Sequence, residues 1–232
     1  MRYIGLLGGT SWASTVEYYG LINRRIAARM GGRHAAKILL HSVDVAEIDG
    51  LRCAEAWEDA AAILADAAVG LERGGAEAIV LCANTMHRVA PAIETALGVP
   101  LLHIVDPAGH ALQAAGIRRA ALLGTRYTME EPFWRDRLAD GFGVELRVPG
   151  AADRQLIHRV IHDELCHDEC YERSRAACVS IIEQMAREGA EAVILGCTEI
   201  GILIRQSDVT LPLFDTTTLH AEAAASFALG AA

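Results

Sequence analysis

Short apolar runs punctuate this chain, and between them apolar positions recur three and four residues apart. Strand-length runs stand at Tyr3–Leu7, Lys37–Val45, Ala78–Leu81, Leu101–Ile104, Ala120–Leu123, Glu145–Val148, Ala192–Leu195 and Leu211–Phe214. Helical spacing occupies Ser14–Met30, Ala54–Glu72, Met86–Leu97, Pro132–Asp140, Arg154–Leu165, Tyr171–Glu188 and His220–Leu229. The first of these helices opens on a capping-box pattern, Ser14 to Glu17, and closes on Gly31-Gly32. Strands that alternate with helices predict α/β architecture, with parallel sheets covered on both faces.

The pattern also repeats. GAEAIVLCANT (75–85) returns as GAEAVILGCTE (189–199), IGLLGGT (4–10) as AALLGTR (120–126), and VPLLHI (99–104) as TLPLFD (210–215). Three echoes in one order at half-chain offsets predict two pseudo-symmetric, Rossmann-like domains from a duplicated unit. The last strand and helix are read as returning to the first domain. The boundaries are then 1–105 plus 210–232 for one domain and 106–209 for the other. Ligands of such sheets gather beyond the carboxyl ends of the strands. The expected site is therefore an interdomain cleft lined by 8–11, 82–85, 124–128 and 196–199.

Composition narrows the chemistry. Of the 232 residues 52% are hydrophobic, yet no apolar run reaches 18, so neither a membrane span nor a signal peptide is expected and the location is read as cytoplasmic. A net charge of −9 argues against a nucleic-acid partner. Among 21 basic residues only Lys37 is lysine, and it opens a strand, a poor place for the Schiff base that pyridoxal phosphate needs. The six cysteines form no CxxC pair, so reduced thiols are expected.

The small polar loops after the strands carry what chemistry there is. The segment 8–11 (GGTS) offers backbone N–H groups to an anion but has neither the dinucleotide spacing nor the P-loop lysine. Asn84, Thr85, Thr198 and Glu199 suit either the carboxylate and ammonium of a zwitterion or helix N-caps. A thiol where a strand meets a helix N-terminus is expected to titrate closer to neutrality, as a carbon acid–base catalyst requires. Aligning the repeats puts Cys82 opposite Gly196, and Ala83 opposite Cys197.

GLLGGTSWAST, LHSVDVAEI, LCANTMH, LLGTRYTM and LGCTEIGILI together resemble the aspartate/glutamate racemase family, in its bacterial branch of broad-range amino-acid racemases. The resemblance implies two α/β domains, no cofactor, a dimer, and two thiols that exchange the Cα proton on opposite faces of a small, acidic amino acid. Gly196-Cys197-Thr198 matches the second family motif and gives Cys197 an acid/base role. At the first motif alanine stands where the family commonly has cysteine, so Cys82, one residue earlier, is the substitute considered. The substrate-binding set is then Thr10, Arg52, Ala83, Asn84, Thr85, Thr198 and Glu199. Arg52, at the opening of the 54–72 helix, is either a clamp for a side-chain carboxylate or a solvated side chain. A single-thiol decarboxylase of the same fold, and a binder silenced at Ala83, are the alternatives. His158, His162, Cys166 and Cys170 recur every four residues beside His167, which would let His158 and His162 share a helical face and hold a metal, or let His162 serve as an auxiliary acid. No metal is assigned.

Overall fold

The computed structural model describes residues 1–167 and 169–230. Residues 231 and 232, counted above with the first domain, lie outside that set. The chain divides into two compact units, one of Met1–Ile104 with the chain from His220 on, the other of Val105–Leu219. The first unit holds β1 (Tyr3–Gly8), β2 (Lys37–Ser42), β3 (Ile79–Leu81) and β4 (Leu101–Leu102), in the spatial order β2-β1-β3-β4. The second holds β5 (Arg119–Gly124), β6 (Glu145–Arg147), β7 (Ala192–Gly196) and β8 (Leu213–Asp215), in the order β6-β5-β7-β8. Every pairing is parallel, and the two orders are the same.

In the first unit, Ile4, Leu6, Val80 and Cys82 pack with Tyr18, Ile22 and Ile26 of α1 (Trp12–Met30) and with alanines 221, 224, 225 and 228 of α11 (Thr216–Leu229). Leu7, Ile79 and Leu81 pack instead with Leu64, Ala68 and Leu71 of α3 (Trp57–Arg73) and Ile93 of α4 (Ala90–Ala96). Each large side chain so buried contributes about 1.5–3 kcal/mol. Burial on both faces explains why the strands read as unbroken apolar runs. In the second unit α5 (Val105–Ala114), α7 (Pro132–Phe142) and α9 (Glu172–Arg187) bury Leu112, Trp134, Leu138, Ile182 and Met185. Arg137 of α7 grips Asp106 of α5 through Nε and Nη2, at 2.6 and 2.7 Å.

The structure corrects several expectations. Strand β8 pairs with β7, not with the first sheet. TLPLFD is the counterpart of VPLLHI and completes its own copy of the sheet, so the return to the first unit comes later, at His220 inside α11. The helices after the fourth strands are exchanged: α5 counts with the second unit, and α11 from His220 on with the first. The segment read as one helix from 54 is preceded by α2 (Val45–Cys53), capped by the Asp44 carboxylate on Ala46 N–H at 3.0 Å. α8 (Ala151–Arg159) gives way to a π-helical turn over Val160–Glu164.

Helix α1 starts a turn earlier than the Ser14 pattern implied. Ser11 is the N-cap, and its hydroxyl accepts from Ser14 N–H at 3.2 Å. The preceding turn depends on Gly9, at φ 97°, where a Cβ would fall 2.1 Å from the Val43 carbonyl oxygen. Thr15 braces this turn: its hydroxyl accepts from Gly9 N–H at 3.0 Å and donates to the Ser11 carbonyl at 2.9 Å. Replacing Thr15 with the isosteric valine strands a buried N–H. T15V is expected to lose about 1–3 kcal/mol of unfolding free energy in urea titrations, with the slope unchanged.

Candidate active site

The loop after β7 begins at Gly196, where a Cβ would meet Leu122 Cδ1 at 2.7 Å and the Leu123 carbonyl oxygen at 3.1 Å. Only glycine lets β7 lie this close to β5, and the next residue, Cys197, is turned out of the strand. Cys197 is 9% exposed, and its thiol donates to Glu199 Oε2 at 2.8 Å. Burial pushes the thiol well above its ordinary range, and the neighbouring Glu199 carboxylate pushes it the same way. Burial and the Glu199 carboxylate thus override the lowering expected from a helix N-terminus, and the helix that follows, α10 (Ile200–Leu203), is only four residues long. Two threonines at the start of α11 steady this loop. Thr216 Oγ1 donates to the Leu195 carbonyl at 2.8 Å, and Thr217 Oγ1 donates to Thr198 Oγ1 at 3.3 Å.

The loop after β3 is built differently. Cys82 is fully buried in the cluster with Val80, Tyr18 and Ile22, and its Sγ lies 3.7 Å from the Val80 carbonyl oxygen. Burial drives this thiol far above the ordinary range as well. Ala83 packs on the other side, against the cluster that contains Leu81. Cys82 is therefore a core residue beneath the loop, and Ala83 holds the position equivalent to Cys197. Asn84 is buried and precedes a 3-10 turn over Thr85–Val89, without capping it through its side chain. Thr85 opens that turn.

The remaining expectations divide. Thr10 Oγ1 is buried without a hydrogen-bond partner among the described residues, whereas the Gly9 N–H proposed for an anion is already taken by Thr15. Arg52 lies in the last turn of α2 and is 8% exposed, so it is neither solvated nor the opening of the next helix. Its Nε and Nη2 both reach Asp49 Oδ1, at 3.1 Å. The His158 and His162 rings touch edge to face at 4.6 Å between centroids, but the π-helical turn breaks the four-residue period, and the described residues hold no group of three or more potential ligands suited to a metal. Cys166 and Cys170 are exposed. Thr216, Thr217 and His87 were missed by sequence reasoning; only the His87 spacing, four residues after Ala83, gave a usable signal.

The profile of the Asp/Glu/hydantoin racemases matches residues 7–224. The chain belongs to that family. A Yersinia pestis protein classed with the Asp/Glu racemases is 47% identical, with a TM-score of 0.94 over 99% of this chain and 100% of its own. An aspartate racemase homologue from Pyrococcus horikoshii OT3 is 32% identical, with a TM-score of 0.85 over 99% and 100%. The broad specificity amino-acid racemase RacX of Bacillus subtilis is 25% identical over 69% of each chain. This racemase is thus an isomerase with an α/β fold, and no described helix is long and apolar enough to cross a membrane.

The buried thiols of the racemase couple its stability to alkaline pH. Burial raises Cys178 to about 11, with Glu164 adding to the effect, and raises Cys82 and Cys197 further from the ordinary value of 9.0. A folded-state value above the unfolded one means that the native state keeps protons which the unfolded chain sheds. The thiols' contribution to stability is complete below pH 9 and falls as pH climbs, with the Cys178 share exhausted near pH 11. Each thiol is expected to add about 1 kcal/mol per pH unit to that decline. Denaturant midpoints at pH 8 and pH 10 measure it, and C82A should show a shallower fall than the native chain.

Proposed function

We propose that this racemase inverts Cα of a small acidic amino acid without a cofactor, and that Cys197 exchanges the proton on one face. The observation that carries this reading is the 2.8 Å hydrogen bond from the Cys197 thiol to Glu199 Oε2. At rest the sulfur holds its proton, ready for transfer to a planar Cα carbanion, which leaves a thiolate. For the opposite direction the thiol proton first passes to the Glu199 carboxylate, and the thiolate then abstracts the Cα proton. Thr10, Asn84, Thr85 and Thr198 would hold the substrate carboxylate and ammonium, and Arg52 the side-chain carboxylate. Lys37, the single lysine, lies on β2 with Nζ over the Tyr3 ring at 4.9 Å, engaged away from the loops that carry these groups. Relatives described as an aspartate racemase homologue and a broad specificity amino-acid racemase support the substrate class.

The second face lacks a matching thiol. Ala83 has no exchangeable proton, so a water molecule beside it serves that face. Working thiols of this kind suit the reducing cytoplasm.

We further propose that the racemase pairs with a second copy of itself. Trp12, Val16 and Tyr19 are 70%, 62% and 53% exposed, at positions i, i+4 and i+7 of α1. This flank of α1 is turned to β2, where Asn23 Oδ1 accepts from Ala36 N–H, and Leu40 of that edge strand is 52% exposed. The four side chains expose on the order of 400 Å², about half of what one partner contributes to a standard interface.

Incubating L- and D-aspartate and glutamate separately in deuterium oxide should give Cα deuteration with inversion. C197S should lose about 10²–10⁴-fold of the exchange rate. C82A should stay within about threefold, since its side chain only packs. A83C or A83T should accelerate inversion. Absence of exchange with any amino acid sinks the racemase reading, and carbon dioxide release from a disubstituted malonate supports the decarboxylase reading instead. Sedimentation should show a dimer that W12E/Y19E converts to monomer.

A further inference from the structure

His87 is buried completely and lies in the 3-10 turn that follows Asn84. Its Nδ1 is 2.7 Å from the Ala83 carbonyl oxygen, and its Nε2 is 3.1 Å from the Ile104 amide nitrogen. A carbonyl only accepts and an amide N–H only donates. The ring must therefore carry its proton on Nδ1 and keep Nε2 bare. A proton on Nε2 would point at another N–H.

The surroundings hold this ring in place. The His103 ring meets it edge-on at 4.6 Å between centroids, and the His220 ring at 5.7 Å. His220 Nε2–H donates to the Leu102 carbonyl at 2.6 Å, which leaves Nδ1 to accept from the Tyr18 hydroxyl at 2.8 Å. A run of hydrogen bonds thus extends from α1 through α11 and the end of β4 to the Ala83 peptide. Among the described residues the second unit shows no counterpart. In the repeat alignment Ala83 corresponds to Cys197 and His87 to Gly201, and the Cys197 loop relies on Thr216 and Thr217 instead.

We propose that His87 is a positioning residue for the racemase reaction: its neutral Nδ1–H tautomer clips the Ala83 carbonyl to the Ile104 backbone and fixes the peptide that bears the second proton-exchange position. This rests on the reading that Ala83–Thr85 faces the substrate. Without the clip, the 83–84 peptide is free to turn and carries Asn84 with it. A displacement of about 1 Å at a reacting group costs about 10²-fold in rate.

The test compares H87Q, whose amide offers one donor and one acceptor, with H87L, which offers neither, and H87N, too short to reach both partners. Ring-nitrogen NMR of the native chain at neutral pH should show a neutral Nδ1–H imidazole whose signals vanish in H87Q. In the exchange assay H87Q should keep kcat within about threefold, whereas H87L and H87N should lose about 10²-fold in kcat with little change in KM. An Nε2–H or doubly protonated ring overturns the proposal. So does an H87L or H87N variant as active as H87Q. If the native chain exchanges no amino acid, the racemase reading fails while the clip stays open to test: Asn84 amide hydrogen exchange should quicken in H87L or H87N relative to H87Q, and equal rates overturn it.

Discussion

Neighbouring residues of a β-strand face opposite ways, and at the ends of two central strands this alternation assigns every reactive group its place. At the end of β3 it sends Cys82 into the core with Tyr18 and Ile22 and leaves Ala83 on the opposite side. At the end of β7 it sets Gly196 against Leu122 and turns Cys197 outward. A side chain at 196 would force β5 and β7 apart, so the thiol of that repeat can only follow the strand, whereas β3 has room for a sulfur one step earlier.

The duplication therefore conserves topology more than chemistry. Both sheets show the same strand order, and both central loops leave the sheet at the same place. One loop carries a thiol against a carboxylate and is steadied by threonines from α11. The other carries a methyl group and is fastened through a buried imidazole. A duplicated unit is free to diverge in just these loops, because the strands beneath them are fixed by packing on both sides.

Much of the fold was legible in the chain. Unbroken apolar runs and three ordered echoes gave the strands and the repeat, because both follow from local composition. The placement of TLPLFD misled, since sequence alone does not show which neighbour a strand pairs with. The motif around Cys197 singled that residue out, but said nothing of its protonation. That depends on burial and on Glu199 two residues later, and neither is a property of spacing. Arg52 reads as lying at the opening of the 54–72 helix because the end of α2 is disguised by an alanine-rich stretch that continues a helical pattern. His87 went unread because its four-residue spacing from Ala83 gains meaning only through its second partner, Ile104, 17 residues further along the chain.

The hydrogen bond between Cys197 and Glu199 has a consequence for chemical durability. Reactive oxygen species and electrophiles attack thiolates, and a cysteine kept ready as an anion is soon lost to sulfenic and higher acids. Desolvation and an adjacent carboxylate keep this sulfur in its protonated, sluggish form. Such a residue can persist undamaged through long idle periods.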